Sequence, residues 1–187
     1  MVLALVLLAS LGLAACGGGG GASTPTEALA RDCSELADDA ARECYREEFE
    51  ARVRAAPDPV AEVEEITAES RDAGGFLLSN CHGIMHAVGR SHVAARNVTL
   101  ASLMDHLPRS NDPGCAAGFA HGVVTAVAPQ LDLSDPRGSA SVCGEAETRY
   151  QRYSCIHGFG HAFMRVNRDD LDPALELCRA LGPPAPD

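Results

Sequence analysis

The chain is 187 residues long with a formal net charge of −11, an acidity that excludes a phosphate-rich partner such as nucleic acid. It has no lysine, which excludes Schiff-base chemistry on that side chain, and its length suits one domain able to bury its own core. Five of its seven histidines fall in one repeated phrase.

Residues 1–15 form an almost unbroken apolar run, too short to span a bilayer, that ends in Leu13-Ala14-Ala15-Cys16 and is followed by five glycines. No amphipathic pattern breaks the run and the glycines would end any helix, so it reads as an export signal and not as a buried helix. No Arg or Lys precedes residue 31, and a start codon upstream of Met1 would supply the missing positive region. The segment resembles the lipobox of a bacterial lipoprotein, over residues 1–16 alone. The resemblance implies a signal peptide at 1–15, a fatty-acylated Cys16 as lipid anchor, and a place in the cell envelope. That place would be the outer side of the cytoplasmic membrane, or the periplasm where there is an outer membrane.

Residues 16–24 then read as a flexible tether. Thr24 as N-cap, Pro25 in the first turn and Glu27 closing a capping box open a helix, and 25–187 read as one helical-repeat domain. Residues 27–72 hold 15 of the 26 acids against six arginines, the balance of a solvated helix face. The repeat anchors are Cys44, Cys81, Cys115 and Cys155, spaced 37, 34 and 40 residues apart, each expected to open a helix. A second helix is expected after each: from Asp58-Pro59, from Asn97-Val98-Thr99-Leu100, around 140–147 after a loop at 129–138, and from Asp172-Pro173. Strand signals are weak throughout. The fold expected is all-α: stacked helical hairpins, as a short α-solenoid or irregular bundle, stapled by disulfides.

With Cys16 lipidated, seven cysteines remain and none lies in a Cys-x-x-Cys motif, so outside the membrane the default is disulfides. On one unbroken helix Cys33 and Cys44 would lie about 16 Å apart, against the roughly 7 Å that a disulfide tolerates. They pair if the helix breaks near Asp38-Asp39, both good N-caps, and that is the expectation. Cys143 with Cys155 and Cys81 with Cys115 complete a sequential set that leaves Cys178 alone. The 143-to-155 rhythm puts a partner for Cys178 just past Asp187, as in a repeat array that continues.

One phrase occurs three times: Cys81-His82-Gly83-Ile84-Met85-His86, Cys115-Ala116-Ala117-Gly118-Phe119-Ala120-His121 and Cys155-Ile156-His157-Gly158-Phe159-Gly160-His161. At about 100° per residue, His82/His86, Ala117/His121 and His157/His161 share one helix face, while Ile84/Val88, Phe119/Val123 and Phe159/Phe163 share the opposite one. The apolar pairs are expected in the core. Two imidazoles a turn apart can chelate one ion, and the phrase is expected in the first turns of its helices, after caps such as Ser79, Asn80 or Ser154. There the positive end of the dipole would disfavour imidazolium. A mid-helix glycine costs up to about 1 kcal/mol against Ala, so its recurrence implies close approach of a helix or a ligand. A single histidine would be read as a hydrogen-bonded structural group; five in phase favour a metal. His92, His106 and Asp105 are assigned structural roles, with Asp105-His106 left to the fold to place.

Several enzyme signatures are absent. His-Gly-x-x-His lacks the Glu of a zinc protease, Gly89-Arg90-Ser91-His92-Val93 lacks the second Gly of a nucleophile elbow, and Gly158-Phe159-Gly160 has no βαβ context. The phrase resembles at a distance the histidine boxes of di-iron oxygenases and the His-Glu pairs of helical-repeat hydroxylases. The first family sets its boxes in membrane helices, and the second has Glu where this chain has Gly. The expected function is an envelope lipoprotein that binds a transition metal (Zn, Fe or Cu) through His82, His86, His121, His157 and His161. The alternatives are a metal-dependent envelope oxygenase or hydrolase, with catalytic residues and substrate unassigned, and a scaffold whose histidines are structural. The partners expected are the membrane, through the anchor, and a protein of the envelope.

Overall fold

The computed structural model describes residues 33–182. Cys16, the apolar run, the tether and the helix start at Thr24 lie outside the described residues. All regular structure among the described residues is helical, and no helix among them is long and apolar enough to cross a membrane.

Helix α1 (Asp38–Ala55) buries Ala41, Tyr45, Phe49 and Val53, spaced four apart, and sets Asp38 and Asp39 in its first turn against Arg52 and Arg54 in its last. Its N-cap is Ala37, so the expected break falls a residue earlier than the two aspartates. The break brings Cys33 and Cys44 to a Cα separation of 5.6 Å, and they are bonded. Helix α2 (Pro59–Ala73) starts where the sequence places it, the Asp58 carboxylate accepting from the N–H groups of Val60 and Ala61 at 3.1 Å. Arg52 donates to Glu62 and Glu69 at 2.6 Å and locks α1 to α2.

Helix α3 (Gly75–Arg96) stops at Asn97, which adopts a left-handed conformation with φ 52°. Asn97 thus ends a helix where it was expected to begin one. The chain continues as a 3-10 helix, Leu100–His106, capped reciprocally by Thr99 and Ser102. Helix α4 (Cys115–Ala126) is the centre of the molecule, buried from Cys115 through Thr125. It packs on α3 to one side and on α6 (Arg149–Val166) to the other; α1 lies against α3, and α7 (Leu171–Ala180) against α6. Helix α2 packs on α1, α3 and α4.

In place of the single helix expected at 140–147 there is one α-turn, α5 (Pro136–Ala140), capped by Asp135, then a 3-10 turn, Ser141–Glu145. That turn carries Cys143 to its disulfide with Cys155, at a Cα separation of 5.7 Å. Asp170 caps α7, ahead of the Asp172-Pro173 cue. Hairpins therefore stand at the two ends, α1/α2 and α6/α7, with short 3-10 segments between, which makes an irregular bundle and not a regular solenoid. The anchor cysteines also need correction. Only Cys115 opens a helix; Cys44, Cys81 and Cys155 lie well inside α1, α3 and α6.

Candidate metal centre

The two opposed faces read from the histidine phrase exist. Ile84, Val88, Phe119, Val123, Phe159 and Phe163 are all in the core, and the five phrase histidines of α3, α4 and α6 converge on the other side. What lets them converge is the small-residue surface of α4. A Cβ on Gly118 would collide with the carbonyl oxygen of His82, one on Gly122 with that of His86, and one on Gly89 with that of Phe119. Backbone thus meets backbone beside the ligating side chains. The Cys81–Cys115 disulfide, with Cα atoms 4.9 Å apart, ties α3 to α4 one residue before His82.

The phrase glycines do not share one role. Gly118 meets backbone, Gly158 faces the Val124 side chain 2.8 Å from where its Cβ would be, and Gly83 has only the Arg42 Nη1, at 3.9 Å. Gly122 and Gly89, which complete the close crossing, carry no signal in the phrase itself; their four-residue and helical spacing to Gly118 and His86 is the available clue.

The rings form a continuous strip. Centroids of His82 and His86 are 5.0 Å apart, and each is 5.2–5.4 Å from His121. His121 in turn lies 4.6 Å from His157 and 5.0 Å from His161, while His86 and His161 stand 5.3 Å apart. Two groups have ligand atoms within 4.8 Å of one another: His82/His86/His121 and His121/His157/His161. The first is buried to half-buried, while His157 and His161 are exposed.

Hydrogen bonding sets the tautomers. The Nδ1 of His82 lies 2.9 Å from the Pro113 carbonyl, which can only accept, so Nδ1 carries the proton and Nε2 its lone pair. The Nε2 of His86 lies 3.2 Å from it and donates to it. A metal-ligating histidine commonly spends its other N–H on a carbonyl in this way. Two nitrogens on one tetrahedral ion, each about 2.0–2.1 Å from it, stand about 3.3 Å apart, which is the separation of this pair. His121 is buried, and neither of its ring nitrogens has a hydrogen-bond partner among the described residues. A buried polar atom without a partner costs roughly 1–3 kcal/mol, and here one residue carries two.

Three of the imidazoles, those of His86, His121 and His161, are held neutral. Burial, then the neighbouring histidines, lowers the pKa of His86 to about 4 and that of His121 to about 3, and it lowers His161 also. The helix dipole expected to do this does not act, because in α3 and α6 the phrase lies in mid-helix. Ser79 and Asn80 donate back to the carbonyls of Gly75 and Phe76, Ser154 is buried with no hydrogen-bond partner among the described residues, and Thr148 caps α6. Desolvation replaces the dipole as the cause.

His92 and His106 lie elsewhere, paired with each other at 3.0 Å, with His92 against Phe119 at a centroid distance of 5.4 Å. Asp105 does not join either histidine group. Cys178 has no disulfide partner among the described residues.

The fold and this strip of imidazoles define the chain only as an all-helical protein with histidine groups able to hold a metal ion. Comparison with family models, with curated proteins and with solved structures finds no match to it.

Proposed function

We propose that this protein is an envelope lipoprotein that binds a transition metal through His82, His86, His121, His157 and His161. The observation that carries the metal reading is His121, buried between two histidine pairs with both ring nitrogens unpartnered, beside a His82–His86 nitrogen pair already at the separation of two ligands. An all-imidazole set suits Zn, Cu or Fe and disfavours Mg or Ca. Because His121 belongs to both groups, it can serve one ion or stand between two.

Elemental analysis of protein folded oxidatively and made without a histidine tag tests this. One or two equivalents of a transition metal per chain are expected; metal at background in wild type would leave the histidines as structure and favour the scaffold.

The lipoprotein half rests on the run ending at Cys16 and on the three disulfides, which suit an oxidising compartment. Labelled fatty acid should enter wild type and not Cys16→Ser, and equal labelling of both would remove it.

A second reading, metal-dependent catalysis, draws on one feature. His157 and His161 are exposed, so an ion held by them and His121 has three protein ligands and a side open to solvent, the arrangement of catalytic zinc.

A further inference from the structure

His157 and His161 face two ways. They complete the group with His121, and they also form part of the wall of an open groove of about 1260 Å³ between α6, α7 and the turn after α5. The apolar floor comes from Tyr153, Ile156 and Met164 along one stripe of α6 and from Leu181 beyond α7. Tyr153 and Ile156 are among the large apolar side chains that the molecule leaves exposed.

The charge of the groove runs against that of the chain. Arg137, Arg149 and Arg152 line it and no Asp or Glu among the described residues does, in a protein of net charge −11. The acids are concentrated instead on α1 and α2. Guanidinium groups over an apolar floor recognise carboxylate, phosphate or sulfonate on an apolar body. Convergent polar groups at the edge of a large apolar pocket are also the usual mark of a ligand site.

We infer that this groove binds a small organic anion with an apolar body, its charged head held by Arg137 and Arg152 and its body along Tyr153, Ile156, Met164 and Leu181, within reach of an ion on His157 and His161. The anion site stands on the groove alone. Its contact with a metal rests on the metal reading above.

The probe is decanoate, titrated calorimetrically into the full chain with and without bound Co(II). Decanoate should bind the metal-free protein, and decyltrimethylammonium, with the same tail and opposite charge, should not. Arg152→Glu should weaken decanoate by about tenfold or more, the size of one charge-assisted hydrogen bond. Arg54→Glu, the same charge change on exposed α1 away from the groove, should leave it unaltered. In Co(II)-loaded protein, decanoate should also shift the visible absorption of the ion.

Equal binding of both amphiphiles, or no effect of Arg152→Glu, overturns the inference. So does a chain ending at Gly182 that binds where the full chain does not, since residues 183–187 would then be the occupant. Decanoate binding without Co(II) uptake keeps the groove and sinks the metal reading; Co(II) uptake without decanoate binding does the reverse.

Discussion

Helix α3 carries two histidine sites that look alike in isolation and differ in what surrounds them. His86 pairs with His82 at 3.2 Å and His92 pairs with His106 at 3.0 Å, and burial lowers both His86 and His92 to a pKa of about 4. Six residues apart, the two lie about 240° round the helix from each other. The His92–His106 pair is closed, each ring serving the other, with Phe119 behind His92 and no third donor among the described residues. The His82–His86 pair is open: His82 spends its spare N–H on Pro113, and the unpartnered nitrogens of His121 stand alongside. A lowered pKa and a short His–His distance therefore do not distinguish a metal site from a structural pair. The number of converging, unpartnered nitrogens does.

The sharpest way to break this comparison is to remove one histidine from each side. His121→Ala should weaken metal binding most, because both groups lose a ligand; His86→Ala and His161→Ala rank next. Loss of an outer partner of a metal ligand already costs about 10- to 100-fold in affinity, so removing a ligand should cost about 100-fold or more. His92→Ala should keep the metal stoichiometry while lowering thermal stability, since it opens a hole beside Phe119. If metal content by elemental analysis falls equally in His92→Ala and His121→Ala, the distinction between open and closed sites is wrong.

The comparison also shows what is legible in the sequence. Periodicity alone puts the five phrase histidines on one face and six apolar partners in the core, because both arise from the geometry of a single helix. Cysteine spacing yields Cys33–Cys44 and Cys143–Cys155 for a similar reason, since local reach limits the choices, and Cys81–Cys115, 34 residues apart, follows only as the pair that completes the sequential set. Helix boundaries are harder to read. Asn97 looks like a cap at either end of a helix, and only its left-handed backbone shows that it closes α3. Cys44, Cys81 and Cys155 are mid-helix residues and not helix starts, because a disulfide constrains distance and not position within an element. The Pro113 carbonyl at His82 and the arginine-lined groove depend on how distant segments pack, and no local pattern carries them.

A smaller effect sharpens the same contrast within the repeated phrase. Gly118→Ala would drive a Cβ into the backbone of His82, so α3 and α4 must separate; overpacking of this kind costs roughly 1–3 kcal/mol and pulls His82 and His86 away from His121. Both thermal stability and metal affinity should fall. Gly83→Ala, at the same place in the phrase, meets only the end of the Arg42 side chain and should gain up to about 1 kcal/mol of helix stability with metal binding intact. Equal effects in thermal melts of the two variants would mean that the crossing at Gly118 is not as close as described.

The smallest effect is the response to acid, and metal should divide it between the two sites. In the folded, metal-free protein His86 and His92 titrate at about 4 and His121 at about 3, against about 6.5 in an unfolded chain. Between those values the unfolded chain binds more protons than the folded one, so stability is fully present above pH 6.5 and falls as pH drops toward 4. Both sites contribute to that loss. A bound ion competes with protons only at the open cluster, so saturating Zn(II) should move the cluster's share of the acid limb to lower pH. The share due to His92 and His106 should stay where it was, and in His92→Gln that remaining limb should shrink. Urea midpoints measured from pH 4 to 8, with chelator and with Zn(II), read both shares. A profile that zinc shifts as a whole, leaving nothing for His92→Gln to remove, would place the closed pair under the control of the metal and erase the difference between the two faces of α3.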